Sequence, residues 1–129
     1  YREEMLKPLE INPIFPLWGE NTTNVLKRFI SLGYKTIITC VDLTRLPEGF
    51  SGKEINDQFI EELPFGVDHC GENGEYHSFV FDGPIFNNPI RFHVGDKKLT
   101  ADVYSGETRF CFTDLVPVHS SNATNTSVR

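Results

Sequence analysis

At 129 residues, with 39% apolar content and 11 phenylalanines, the chain carries material for one modest core. A net charge of −6, with the 12 Lys and Arg scattered, excludes the clustered basic face that phosphate neutralisation needs. No apolar run approaches the roughly 20 residues of a membrane-spanning helix, and three widely spaced cysteines form neither a disulfide framework nor a CxxC metal site.

The chain opens on Arg2-Glu3-Glu4-Met5-Leu6, which reads as the end of a helix without a start signal. Asn12 to Trp18 is an extended apolar segment broken by Pro13 and Pro16, suited to an edge strand or a strand end, with Trp18 expected in core packing. Asn21 or Thr22 caps a helix running to about Leu32; its apolar stripe is Val25, Leu26, Phe29 and Ile30, and Gly33 ends it. Tyr34 to Val41 is a β-branched strand, with Ile37, Ile38 and Val41 facing the core and Cys40 a small buried hydrophobe. A second helix is expected from Gly52 to Leu63, with Ile55, Phe59, Ile60 and Leu63 on its inner face and Pro64 as its stop.

Short strands follow: Tyr76 to Asp82, Ile90 to Val94, Leu99 to Tyr104 and Thr108 to Asp114, separated by Gly-Pro, Gly-Asp and Ser-Gly. Brief connections between successive strands favour antiparallel neighbours. The fold class is therefore α+β, helices on a mostly antiparallel sheet, with Phe29, Ile37, Ile38, Phe59, Leu63, Phe79 and Phe81 predicted to be buried. Residues 1–19 read as the fringe of another domain and a linker, 20–118 as one domain, and 119–129, rich in Ser, Thr and Asn, as a disordered tail.

The segment between the second helix and the strand at Tyr76 is the densest in chemistry. Gly66-Val67-Asp68-His69-Cys70-Gly71-Glu72-Asn73-Gly74-Glu75-Tyr76-His77 places carboxylates, a thiol and two imidazoles in a glycine-punctuated loop that runs straight into SFVFDGPIF. Glu72 and Glu75, three residues apart, are expected to converge on one ligand, binding a cation or ammonium group or accepting a proton; the alternative is two solvated loop acids. Asp68, His69, Cys70 and His77 are too crowded in sequence for a four-ligand structural zinc, so no metal is assigned. Asp82, before Gly83-Pro84, either accepts backbone hydrogen bonds at a turn or touches substrate.

The run GVDHCGENGEYHSFVFDGPIF resembles the C-terminal signature of the diphthine–ammonia ligase family, the amide-forming branch of the PP-loop ATP pyrophosphatases (adenine nucleotide alpha hydrolase-like). Three further segments match in the same order: Phe15-Pro16-Leu17-Trp18-Gly19, Gly33-Tyr34-Lys35-Thr36-Ile37-Ile38, and Phe50-Ser51-Gly52-Lys53-Glu54-Ile55 with Phe59 and Leu63. The family's serine-glycine-glycine-x-aspartate-serine ATP loop has no counterpart, and Ser51-Gly52-Lys53 lacks the strand and spacing of a phosphate loop. The resemblance thus implies the C-terminal substrate domain of a longer cytoplasmic ligase, inactive alone, whose ATP and Mg²⁺ are bound mainly by an absent nucleotide-binding half.

By that resemblance the partners are ATP, ammonia and a carboxylate acceptor, with no nucleic acid or membrane, and homo-oligomerisation left open. Glu75, Glu72 and His77 would be catalytic, and Gly71, Asn73, Gly74, Tyr76 and Asp82 substrate-binding. His77 stands where archaeal and eukaryotic relatives usually carry glutamate and bacterial ones often histidine; its imidazole could serve as a base for ammonia or set the loop's geometry. The alternative from another class is a ligand-binding or assembly module without chemistry. A secreted glycoprotein domain would need an occupied sequon at Asn21 or Asn122.

Overall fold

A computed structural model describes residues 1–119. Helices α1 (Arg2–Leu6) and α2 (Thr22–Ser31) precede β1 (Lys35–Asp42); α3 (Asp57–Glu62) leads to β2 (Tyr76–Asp82), β3 (Phe92–Ala101) and β4 (Thr108–Pro117). The four strands form one sheet in the order β2-β1-β4-β3, and every pairing is antiparallel. The α+β expectation is met.

α2 forms where the stripe predicts. The Asn21 side chain accepts from the amide of Asn24, satisfying one of the free donors at the helix start, and Gly33 follows the last turn. Its buried stripe residue, Leu26, joins Ile38 and Val41 of β1, Leu46, Phe50, Ile55, Phe59, Val67, Tyr76 and Cys111 in one core, with Phe29, Ile30 and Leu63 packed at the edge. Ile37, Ile38 and Phe59 are buried, as predicted.

Six expectations need correction. The second helix does not begin at Gly52. Gly52 has φ +89°, and the segment that follows lies along β1 instead: the Gly52 amide donates to Ile38, the Ile38 amide to Lys53 and the Ile55 amide to Thr36. Sheet bonding takes the backbone there, so the helix waits for Asn56, whose side chain accepts from the Phe59 amide. The two strands expected at Ile90–Val94 and Leu99–Tyr104 are one strand, because Gly95 and Asp96 form a bulge against β4 rather than a turn.

Phe79 is exposed, not buried: it lies on an edge strand and its ring meets Phe92 edge-on at 6.4 Å. Phe81, also edge-on to Phe92, is half-buried. Asn12–Trp18 pairs with no strand, and Trp18 is 85% exposed, touching Phe15 rather than the core. None of residues 1–20 is buried. Of the expected tail, all but His119 lies outside the described residues. Among the described residues no helix is long and apolar enough to cross a membrane.

Candidate functional site

Two carboxylates set the shape of the loop between α3 and β2. Glu75 is fully buried and points back into the loop. One carboxylate oxygen accepts the Asp68 amide at 2.8 Å and the other the Asn73 amide at 2.9 Å. Asp68 works in the opposite sense, accepting the Cys70 amide at 2.9 Å, the Glu72 amide at 3.2 Å and the Thr22 hydroxyl at 2.8 Å. The two acids therefore pair loop amides that the backbone carbonyls of this thirteen-residue connection leave free.

Both acids titrate low. Burial pushes the Glu75 carboxyl up, but backbone donors led by the Asp68 amide outweigh it and hold the group below the ordinary glutamate value. Burial likewise opposes Asp68, and its bonds from Thr22, Glu72 and Cys70 win. Arg45 closes the loop from outside: its guanidinium donates to the Gly66 carbonyl at 3.0 Å and lies 3.6 Å from Glu75.

The loop is seated on the start of α2. Besides the Thr22–Asp68 bond, the Thr23 hydroxyl lies 3.0 Å from His69 Nδ1, and the Cys70 thiol donates to the Thr22 carbonyl at 3.3 Å. The Tyr76 phenol donates to the His69 carbonyl at 2.6 Å, and burial pushes its ionisation up, so it remains a donor. Burial first, then Asp68 and Glu72, also raise the Cys70 thiol, which argues against a reactive nucleophile there.

Gly71 is required by this geometry. Its φ is +66°, and a Cβ would lie 2.9 Å from the Tyr76 ring, which the His69 bond holds in place. Gly71→Ala is therefore expected to cost more than about 1 kcal/mol, read as a lowered denaturant midpoint with an unchanged slope; an unaltered midpoint would mean that the ring is free to move.

The sequence-predicted residues separate into four groups. Glu75, Gly71 and Tyr76 build the loop from inside. Glu72 and Asn73 are exposed, so Glu72 and Glu75 do not converge on a single surface point; Glu75 has turned inward onto amides. Asp82 accepts from the Gly83 amide at 2.8 Å, at the far end of β2. Gly74 and His77 face a different feature, an open cavity of about 190 Å³ that Tyr76 also lines.

The other walls of that cavity, Cys40, Asp42, Phe110 and Phe112, are residues that sequence reasoning did not select as site residues. Cross-strand partners share a face of the sheet: Cys40 lies opposite both His77 and Phe112, and Asp42 opposite Phe110. β1, β2 and β4 thus each contribute to one lined surface, immediately beside the loop. Asp42 is tied there by the Thr44 amide and hydroxyl and by Arg109, at 3.1 Å. Burial raises its carboxyl, but these bonds lower it further, and it is held below the ordinary aspartate value. The one available signal was period-two alternation, which puts Cys40 with Asp42 and Phe110 with Phe112 on common faces. Which strands would be neighbours was not readable from it. Among the described residues no group of three His, Cys, Asp or Glu side chains is placed to hold a metal ion.

The sequence profile of the diphthamide synthase C-terminal domain matches residues 21–108, which span the loop, its seat on α2 and every lining residue of the cavity except Phe110 and Phe112. The chain is 34% identical over 93 residues to a diphthine–ammonia ligase of Bos taurus and 33% identical over 93 residues to the one of Homo sapiens. Each of these alignments covers 68% of this chain and 35% of the relative. A Danio rerio diphthine–ammonia ligase is 32% identical over 105 residues, covering 78% of this chain and 41% of the relative. The chain spans about a third of the length of the mammalian relatives it matches. A match over most of the chain, containing a loop whose own acids dictate its shape, places this protein in the diphthamide synthase C-terminal domain family.

Proposed function

We propose that this chain is the acceptor-binding part of an ATP-dependent, amide-forming ligase of the diphthine–ammonia ligase type. The observation that carries the reading is that the family's signature run, folded as a carboxylate-ordered loop, opens onto a lined cavity with His77 at its wall.

The described residues do not themselves fit ATP or Mg²⁺. The loop amides that could face phosphates are spent on Glu75, Asp68 and the Gly71 and Asp68 carbonyls, and no acidic or imidazole cluster suits a metal. ATP, held mainly by residues outside this chain, would supply the activation of the acceptor carboxylate. What this chain does is bind and orient. The Glu75-ordered loop fixes the start of β2, and β2 in turn fixes the backbone of His77 opposite Cys40. Ammonium must lose a proton before its lone pair can attack an acyl carbon. His77 is the base on the cavity wall that takes it: an ammonium N–H bond breaks and an imidazole N–H bond forms.

A second reading, a scaffold without chemistry, is favoured by one observation: Glu75 is spent inside the loop. The two readings part on a direct assay. The full-length protein, given ATP, ammonium and a panel of carboxylate acceptors, is expected to form AMP and an amide together. His77→Gln is expected to reduce that turnover about 100-fold, the lower end of general-base contributions, while leaving the midpoint of unfolding in place. AMP formation without dependence on both acceptor and ammonium would sink the ligase reading.

A further inference from the structure

We infer that Asn73-Gly74 is a deamidation site, gated by the hydrogen bonds that order the loop between α3 and β2, and that its conversion unlocks that loop. The chemistry is the loop's own and does not depend on the ligase reading.

The reaction is intramolecular. The Gly74 backbone nitrogen loses its proton to water and attacks the side-chain carbonyl carbon of Asn73. A C–N bond forms, the Cγ–Nδ2 bond breaks, and ammonia leaves with a proton returned through water. Water then opens the succinimide at one of its two carbonyls, giving aspartate or isoaspartate. Water is the one co-reactant. A glycine in second place removes the side chain that would crowd the attacking nitrogen, and Asn73-Gly74 is the single Asn-Gly pair in the sequence. Asn73 is exposed, and Gly74, at φ +80°, has no atom within 4 Å of the place a Cβ would take, so the ring has room to close.

Order in the loop opposes the step. The Gly74 amide donates to the Gly71 carbonyl at 3.1 Å, and the Asn73 amide to the Glu75 carboxylate at 2.9 Å. Both peptide groups flanking Asn73 are thus pinned, and the nitrogen that must lose its proton and turn toward Cγ belongs to one of them. Attack waits for an opening that breaks the Gly74–Gly71 bond. The rate is then the intrinsic rate of the pair multiplied by the open fraction. Because the neighbouring amide is held by Glu75, that fraction depends on a buried carboxylate as well as on the glycines.

Both products fit the loop worse than asparagine does. Isoaspartate reroutes the main chain through Cβ and inserts a methylene between the two pinned amides. Aspartate adds a carboxylate to a loop that already holds Asp68, Glu72 and Glu75, with Arg45 3.6 Å from Glu75. Burial raises the Glu75 carboxyl, while the Asp68 and Asn73 amides and the Asn73 side chain hold it low; conversion exchanges the last of these donors for a like charge. The ammonia is lost, so a loop once converted does not return.

The test incubates the purified 129-residue chain at slightly alkaline pH beside a peptide spanning Gly66–Ser78. Peptide mapping by mass spectrometry locates the conversion, and isoaspartyl methyltransferase labelling counts the isoaspartate. Conversion at Asn73 is expected to be at least about tenfold slower in the folded chain than in the peptide. Glu75→Gln is expected to speed it about tenfold, the weight of one lost buried hydrogen bond. In the wild-type chain, deamidation and hydrogen exchange of the Gly74 amide should rise together through sub-denaturing urea, which tests the gate even where the Gln variant fails to fold. Asn73→Asp makes one product directly and should speed exchange at Asp68, whose amide also pairs with Glu75. Equal rates in chain and peptide, or deamidation that does not follow Gly74 exchange, would remove the gate. No conversion at Asn73 in urea that opens the loop would remove the site, and wild-type exchange at Asp68 in the Asn73→Asp chain would remove the unlocking.

Discussion

Phe59→Ala should destabilise the domain by about 3–5 kcal/mol, the sum of lost transfer energy and an unfilled cavity. Phe59 is 1% exposed and stands edge-on to two other rings, Phe50 at 5.9 Å and Tyr76 at 5.7 Å. Its neighbours cannot close over the space it leaves. Phe50 is held by the 3₁₀ turn at Glu48–Phe50, and Tyr76 by its bond to the His69 carbonyl. Because Tyr76 begins β2 and braces the loop, the loss should reach the site as well as the core. Urea unfolding reads the first effect as a lower midpoint. Faster amide exchange at Asp68 and Asn73 reads the second. A cost below about 1 kcal/mol would mean that the α3 face is assigned wrongly.

The legible parts of this fold were those that local chemistry decides. The Asn21 cap, the stripe ending in Ile30 and the glycine after it make α2 readable to within a residue or two, and the β-branched run Thr36–Val41 makes β1 so. Where long-range pairing competes with local preference, the reading failed in a consistent way. Gly52 to Ile55 leads into the stripe of Ile55, Phe59, Ile60 and Leu63 and so reads as its first turn, but β1 offers unpaired backbone groups beside it, and those bonds win. Gly95-Asp96 has the composition of a turn, yet β4 continues alongside and absorbs the pair as a bulge.

The site divides in the same manner. The signature run was visible as a run, glycine by glycine, because its residues are contiguous. That Glu75 would face inward was not visible, since a glutamate in a glycine-rich loop is exposed by default and only the unpaired amides of the folded loop draw it in. Asp42, Phe110 and Phe112 were readable as strand residues and nothing more. They come together through the β1–β4 pairing of segments 68 positions apart, a connection that neither spacing nor composition encodes.

Glu75→Gln carries the largest consequence for the site, and the buried geometry changes what it should do. At an exposed acid the substitution would remove a charge and leave the fold alone. Here each carboxylate oxygen accepts a loop amide, so whichever way the Gln amide is turned, its NH₂ faces a backbone N–H. One donor is left unpaired in a buried position, at a cost of about 1–3 kcal/mol, and the Arg45 contact at 3.6 Å loses its charge partner. The linkage gives an independent check. Glu75 is held below the ordinary glutamate value, so its contribution is complete above the unfolded chain's titration and is lost as pH falls through the folded-state value. Wild-type stability should therefore drop below about pH 5 more steeply than that of the Gln variant. Asp68 and Asp42, also held low, supply the slope that remains.

In the full-length enzyme, loosening the loop should cost at least tenfold in turnover, about 1.4 kcal/mol, with ATP affinity unchanged. Glu72→Gln is the matched control, because that side chain is exposed. It should leave stability where it was, and any loss of turnover would come from direct contact with the acceptor. A Glu75→Gln protein with unaltered stability and an unaltered acid limb would show that the loop amides find other partners, and the carboxylate would then have no role in ordering the site.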